Sequence, residues 1–191
     1  MNSEELIQSI SNIVEEQSKK DTNVYGYEGW SCHVITVVKY AKILAEILGA
    51  DKEIVEIAAL LHDFASIKDS SMRKEHHIYG AIEAEKILKG FNYPEEGISK
   101  IKECILQHRL SSALIERATK ESICIASADA IAHIDQVPSL LHLVYYKRNM
   151  EVSEGANWVS KKIENSWNKL CPEAKKIIRI KYESAQIVLK S

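Results

Sequence analysis

The chain has 191 residues, of which 46% are hydrophobic and 27% charged, so it can bury a substantial core as a single domain over residues 1–191. Its 25 Lys and Arg residues nearly balance its 27 Asp and Glu residues, which argues against nucleic acid or a membrane surface as a partner. The N-terminus lacks a secretory pattern, and no apolar run approaches the about 20 residues of a membrane span. The four cysteines show no CxxC spacing and are expected to be reduced thiols of a cytoplasmic protein.

Helical periodicity dominates the sequence, which has only 3 prolines and 7 glycines to interrupt it. The first two helices are predicted over about residues 3–19 and 31–48, the second with one buried apolar stripe. Gly49 is predicted to end this helix, and Asp51 to cap a third over about residues 52–64. Because the third helix is apolar nearly all round, we expect it to lie centrally.

The rest of the chain continues the helical pattern. A loop over residues 65–75 is predicted to lead to a fourth helix that ends near Gly90. Pro94 suits the first turn of a fifth helix, and Thr119 can cap a sixth that is buried on most sides. Three more helices are predicted to begin at Pro138, Ser153 and Pro172. The sequence therefore predicts an all-α fold with a C-terminal helical extension over about residues 138–191.

Six polar side chains interrupt the apolar faces of these helices. An aspartate that directly follows a histidine at the end of a buried helix is costly to desolvate unless a cation pairs with it. Imidazole and carboxylate ligands suit Zn, Mn, Fe, Co or Ni, and side chains at helix ends can converge between packed helices. A single histidine on an apolar face is more often structural, so the prediction of a divalent metal site depends on the ordered set: His33, His62, Asp63, His76, His108 and Asp129.

The order of His33, the adjacent His62 and Asp63, and Asp129 resembles the HD superfamily of metal-dependent phosphohydrolases. The stretch AALLHDFA is similar to the family's AALLHDIG, and ASADAI is similar to its ADxi segment. The resemblance covers a motif core of about residues 31–135. It implies an HD-domain helical bundle in which these four side chains bind one metal ion.

Two further motifs extend the resemblance to members that hold two metal ions. HHIYGA has the HxxxGA form of those members and selects His76, and CILQHR resembles the segment that follows and selects His108. The resemblance then implies that Asp63 bridges two ions and that both histidines hold the second. The full pattern resembles symmetrical diadenosine tetraphosphate hydrolases and, equally, the HD-fold mixed-valent di-iron oxygenases.

The sequence also departs from several branches of this family. No GYP follows His108, and Ser66 stands where the cyclic-di-GMP phosphodiesterases have a lysine. HDFASI lacks the Glu-Asp pair of the (p)ppGpp hydrolases. Gln107 stands where some dinuclear members have another histidine, which leaves the choice between one metal ion and two open.

The resemblance implies a phosphohydrolase that uses metal-activated water on a small phosphorylated substrate, for which we expect a nucleotide. The reaction could be that of a phosphomonoesterase, a phosphodiesterase or a pyrophosphohydrolase. Asp63 would act in catalysis as a metal ligand, and Arg109 as the phosphate-binding cation, since a guanidinium matches two phosphate oxygens at once. Lys68 and Arg73 are weaker substrate-binding candidates, because a solvated run of charge is the favoured interpretation of the loop that carries them.

Two alternative functions stay open at this point: an HD-fold di-iron oxygenase and a non-catalytic nucleotide-sensing module. The aromatic stretch VYGYEGW before His33 could cover the site or simply pack at a helix entry. His133 faces the same side of its helix as Asp129 and could contact the site or be an ordinary helix-end histidine. The stripe formed by Trp158 and Trp167 is interpreted as core packing or as the face of a homodimer.

Overall fold

The computed structural model describes residues 2–109 and 119–190, and every regular element within these ranges is helical. This confirms the predicted all-α class. The end of the predicted connection between the fifth and sixth helices, residues 110–118, lies outside the described ranges. Among the described helices, none is both long and apolar enough to cross a bilayer. The α-helices are α1 (Ser3–Ser18), α2 (Ile35–Leu48), α3 (Lys52–Leu61), α4 (Phe64–Lys68), α5 (His76–Gly90), α6 (Glu95–Gln107), α7 (Lys120–Asp135), α8 (Val137–His142), α9 (Val152–Lys169) and α10 (Pro172–Leu189).

Helix α7 occupies the centre of the bundle and packs against α2, α3, α6, α9 and α10. Its side chains from Cys124 to Ala132 are buried without interruption, and many of them are small enough to let neighbouring helices approach closely. Helix α3, which was expected to be central, is fully buried from Ile57 to Leu61. The core therefore lies between α2, α3 and α7.

Several predicted helix ends are confirmed by their capping contacts. The Asp51 carboxylate accepts hydrogen bonds from the first-turn N–H groups of α3 at 3.0 and 3.2 Å. Gly49 adopts the left-handed conformation, with φ of 63°, directly after α2. The Thr119 hydroxyl accepts the N–H of Ser122 at 3.2 Å and so caps α7. These contacts satisfy backbone groups that have no partner within the helix.

The prediction was wrong about the chain that surrounds the His62-Asp63 pair. Helix α3 ends at Leu61, because Asp63 leaves the helical region with φ of −109° and ψ of 7°. The predicted loop over residues 65–75 is instead the rest of α4 followed by a 3₁₀ turn over Ser70–Glu75. The Asp69 carboxylate starts this turn by accepting the N–H of Ser71 at 2.8 Å.

The second predicted helix begins with a π-helical turn over Gly29–Val34 before α2 continues it. A second π-helical turn, Leu143–Lys147, follows α8. Such turns are rare and frequently lie at functional sites, because the extra residue changes the direction in which side chains project. His33 lies in the first turn, and both turns contribute side chains to the same cleft.

Helices α9 and α10 form the C-terminal extension and pack on α7. The buried carboxylate of Asp135, at the end of α7, accepts a hydrogen bond from the hydroxyl of Tyr40 in α2 at 3.1 Å. The same carboxylate pairs with Lys181 of α10. One side chain therefore ties the extension to the bundle.

Candidate metal centre

The six side chains that the sequence predicted as metal ligands converge on one point between the packed helices. Five of them lie at helix ends or in turns, and the sixth projects from the middle of α7. The break after α3 matters here, because it turns two successive side chains toward the same point. They are His33 in the π-helical turn, His62 and Asp63 at the break after α3, His76 at the start of α5, His108 after α6 and Asp129 in α7.

A first group of ligand atoms belongs to His33, His62 and Asp129. These atoms all lie within 4.8 Å of one another. The Nε2 atom of His33 lies 3.3 Å from Nε2 of His62 and 3.4 Å from Oδ1 of Asp129. Two ligand atoms that each bind one ion at about 2.1 Å, in tetrahedral or octahedral geometry, lie about 3.0–3.4 Å apart. The spacing of this group therefore fits a metal ion.

A second group belongs to Asp63, His76 and His108. The Nε2 atom of His76 lies 3.1 Å from Oδ1 of Asp63 and 3.0 Å from Nε2 of His108. The other oxygen of Asp63, Oδ2, lies 3.6 Å from the Nε2 atoms of both His33 and His62. The Asp63 carboxylate therefore faces both groups.

Backbone carbonyls fix the orientation of three of the four rings. In His62, His76 and His108, Nδ1 lies 2.8, 2.9 and 2.6 Å from the carbonyl oxygen three residues earlier. Because Nδ1–H donates there, the neutral ring carries its lone pair on Nε2, which points at the site. Two such lone pairs face one another between His76 and His108, an arrangement that a cation between them satisfies. The donor set and its hydrogen bonding therefore fit divalent metal ions.

The charges of the site reinforce one another. Burial raises the pKa of the Asp63 carboxyl, but the imidazoles of His62, His76, His33 and His108 outweigh this effect and hold the pKa well below its usual range. Burial likewise opposes ionisation of Asp129, and His133 and His33 overcome it, so the pKa of this carboxyl is also lowered. Ionised carboxylates are the form that binds a metal.

Burial lowers the pKa of His108 to about 4, and the neighbouring His62 adds to this effect. A neutral imidazole is the form that can donate its lone pair to a metal. His108 is therefore held in its ligating form across the neutral pH range.

A cleft of about 390 Å³ opens onto these ligands. Its lining is rich in cations and has aromatic side chains on its walls. Arg109, the predicted phosphate-binding cation, lines the cleft, and its Nη1 donates to the carbonyl of Lys74 at 2.6 Å. Lys68 is not brought to the cleft, because its ammonium pairs with Glu83 at 2.6 Å on α5. The cations of the lining are Arg73, Arg109, Lys147, Arg148, Lys162 and Lys169.

The sequence interpretation missed the contribution of α9 to this cleft. Trp158, Lys162 and Lys169 line it from one side of the helix. Burial lowers the pKa of the Lys162 ammonium, although Asp129 opposes this effect. Helical periodicity could have indicated that Lys162 is not an ordinary surface lysine. This residue lies beside the apolar stripe of Val159 and Ile163 rather than on the opposite, solvent-facing side of the helix.

The residues with two open interpretations divide between the site and the core. In the VYGYEGW stretch, Tyr25 lines the cleft, whereas Trp30 is buried in the hydrophobic core. His133 stacks on His33 with ring centroids 5.0 Å apart, and its Nδ1 lies 3.7 Å from Oδ1 of Asp129. Trp167 stacks on Tyr182 of α10 at 4.4 Å between centroids.

Residues 30–134 match the HD domain family. The match covers more than half of the chain and contains all six converging side chains. The chain therefore belongs to the HD-domain family, whose members are generally metal-dependent hydrolases and bind divalent metal ions.

Three known proteins are similar to this chain. An uncharacterized protein of Clostridium beijerinckii is 34% identical over 102 residues, which span 49% of this chain and 65% of that protein. The Listeria innocua protein Lin1889 has a TM-score of 0.72 at 23% identity, over 100% of this chain and 94% of its own. Bacillus subtilis YpgQ, solved in complex with ADP, has a TM-score of 0.68 at 16% identity. The similarity covers 96% of this chain and 94% of YpgQ. At these identities the two solved structures establish the fold alone.

Proposed function

We propose that this protein is a metal-dependent phosphohydrolase that acts on a small phosphorylated molecule, a nucleotide. The observation that carries the proposal is the convergence of six side chains, whose seven ligand atoms lie 3.0–3.6 Å from their neighbours, with three Nε2 lone pairs fixed by Nδ1 hydrogen bonds. Membership in the HD-domain family supports it.

In this proposal the centre takes two ions. The first would be held by His33, His62 and Asp129, and the second by His76 and His108. The Asp63 carboxylate would bridge them, because each of its oxygens faces a different group. When bound, divalent ions supply Lewis acidity, which activates water at neutral pH and stabilises charge on phosphoryl oxygens.

The protein's own cations would bind and orient the phosphate. Arg109 reaches the cleft beside the ligand His108, and its bond to the Lys74 carbonyl fixes its guanidinium. Lys162 approaches from α9 and is close enough to Asp129 and Asp63 for both carboxylates to affect its pKa. Positive charge that is already in place for the phosphoryl oxygens needs no reorganisation during the reaction.

A nucleotide fits the rest of the cleft. Its volume of about 390 Å³ is within the range of small-molecule sites. Tyr25 and Trp158 in its lining add aromatic surface that a nucleotide can contact. The complex of YpgQ with ADP supports the same class of ligand.

The proposal is tested by metal analysis together with a phosphate-release assay. Protein purified without chelators and away from air should contain about two metal equivalents per chain. It should release phosphate or pyrophosphate from nucleotides with Mn²⁺, Co²⁺ or Ni²⁺ in the site. Activity restricted to iron and dependent on O₂ would favour the di-iron oxygenase, and absence of any metal after reconstitution would refute both.

A further inference from the structure

Two arginines in the cleft are each held against an aromatic ring. The guanidinium carbon of Arg148 lies 4.5 Å from the ring centre of Trp158, and that of Arg73 lies 5.7 Å from the ring centre of Tyr25. All four side chains line the cleft that opens onto the metal ligands. An aromatic face holds a guanidinium in place while leaving its N–H groups free to bind another partner.

The positive charge of Arg73 is near enough to affect Arg148. Arg73 is exposed and Arg148 is half-buried; burial lowers the pKa of Arg148, and the charge of Arg73 lowers it further. Burial and the Asp63 carboxylate raise the pKa of Tyr25, and both arginines oppose this effect, so this part of the cleft is near Asp63. Two like charges on the wall of one cleft repel each other unless an anion lies between them.

No such anion is provided by the described part of the chain. Within residues 2–109 and 119–190, no carboxylate oxygen lies within 4.0 Å of either guanidinium. Several lysines elsewhere in the described chain do pair with acids, as Lys68 does with Glu83 at 2.6 Å. The guanidinium groups of Arg73 and Arg148 instead lie against aromatic rings of the cleft.

The backbone also couples this pair to the metal centre. The carbonyl of Arg73 accepts the Nδ1–H of His76 at 2.9 Å, so the segment that orients a ligand also carries one of the guanidinium groups. Arg148 lies at the end of the second π-helical turn, and the next residue, Asn149, has a φ of 52°. Arg148 also lies outside the residues that match the family, 30–134.

We propose that Arg73 and Arg148 form a second anion site, which binds a phosphate of the substrate other than the one at the metal centre. This inference rests on the proposed function, since it assumes that a phosphorylated substrate enters the cleft. It makes the two arginines specificity-determining residues, which favour a substrate with linked phosphates over a monophosphate. Each guanidinium can donate two parallel hydrogen bonds to phosphate oxygens.

The test compares binding of α,β-methylene-ADP, which resists hydrolysis, with binding of AMP by calorimetry on Mn²⁺-loaded protein. The wild-type protein should bind the ADP analogue about tenfold or more tightly than AMP. Arg148→Met and Arg73→Met should each reduce that preference by about tenfold, because each removes charge-assisted hydrogen bonds. Arg148→Lys keeps a charge but loses the planar fork, so its preference should fall between those of Arg148→Met and the wild type.

Arg179→Met serves as the matched control, because Arg179 is exposed on α10 and does not line the cleft. It should keep the wild-type preference. Equal affinity of the wild type for the two nucleotides, or an unchanged preference in both methionine variants, would overturn the proposal. Phosphate release is measured separately on the same proteins. Loss of preference in the variants without any phosphate release by the wild type would refute the proposed function and leave the anion site standing.

Discussion

The Nε2 atoms of His76 and His108 lie 3.0 Å apart, and each ring donates its Nδ1–H to a backbone carbonyl. Both Nε2 atoms of the neutral rings therefore present lone pairs to each other. Two lone pairs at this distance repel, and neither ring can turn away without breaking its bond to the carbonyl. A cation bound between them would turn this repulsion into coordination, so in the proposed centre metal binding would also stabilise the fold.

Metal removal should lower thermal stability. Because an ion that binds the folded chain stabilises it by mass action, chelation by EDTA should lower the unfolding midpoint by about 5–10 °C. Re-addition of Mn²⁺ should restore it, as measured by differential scanning fluorimetry or calorimetry. His76→Ala, which lacks one ligand of the second group, should show a smaller shift. A midpoint that is the same with and without EDTA would contradict this account.

Replacement of Asp63 should affect both ions, whereas replacement of His76 should affect one. Asp63 Oδ1 faces His76, and its Oδ2 faces His33, so Asp63→Asn removes charge from both groups. We expect less than one equivalent of metal in Asp63→Asn and about one in His76→Gln, by elemental analysis. Asp21→Asn is the control, since Asp21 is exposed and outside the cleft. Equal metal loss in the Asp63 and His76 variants would argue against a bridge.

Lys162→Met should impair turnover without removing metal. The Lys162 ammonium is partly buried beside the carboxylate ligands, and its loss would leave phosphate charge less well neutralised. We expect kcat/KM for the best nucleotide substrate to fall on the order of 100-fold. The neighbouring Lys161 is exposed and does not line the cleft, so Lys161→Met should match the wild type. Equal activity of both variants would remove Lys162 from the mechanism.

The contact between Tyr40 and Asp135 should make stability depend on alkaline pH. Burial and the Asp135 carboxylate raise the pKa of Tyr40 to about 12, whereas an unfolded tyrosine ionises near pH 10. The contribution of a group whose pKa is raised by folding is complete below pH 10 and is lost as the pH rises toward 12.

This dependence is measured by urea unfolding of the wild type and Tyr40→Phe. The difference in their free energy of unfolding should shift by about 1 kcal/mol against the wild type between pH 8.5 and pH 11. A difference that does not change over this range would show that the Tyr40 hydroxyl is not shielded in solution as it is in the structure.

The all-α class and several helix ends were predictable because local chemistry determines them. Gly49 and Asp51 end and begin helices through their own backbone conformation and side-chain bonds. The family was predictable from the order of a few polar residues in apolar surroundings. The break after Leu61 was not, because the apolar pattern continues through Phe64 and only the conformation of Asp63 interrupts it.

The cations that line the cleft were harder to predict than the six converging side chains onto which it opens. Lys162 and Arg148 are far in sequence from the ligands. Periodicity places Lys162 beside the apolar stripe of α9, but no local pattern shows that this stripe packs on α7. Lys68 illustrates the opposite case, since it lies near the His62-Asp63 pair in sequence but pairs with Glu83 instead. Proximity in sequence to a ligand thus finds Arg73 and Arg109, which line the cleft, but also selects Lys68, which does not.

The proposed metal ligands lie between positions 33 and 129, whereas Arg148, Trp158 and Lys162 come from the later part of the chain. Substitutions in that later part can alter the walls of the cleft while every ligand stays in place. Such an arrangement lets substrate preference drift during evolution without loss of the underlying chemistry. Descendants of one ancestral metal centre could in this way come to serve different metabolites.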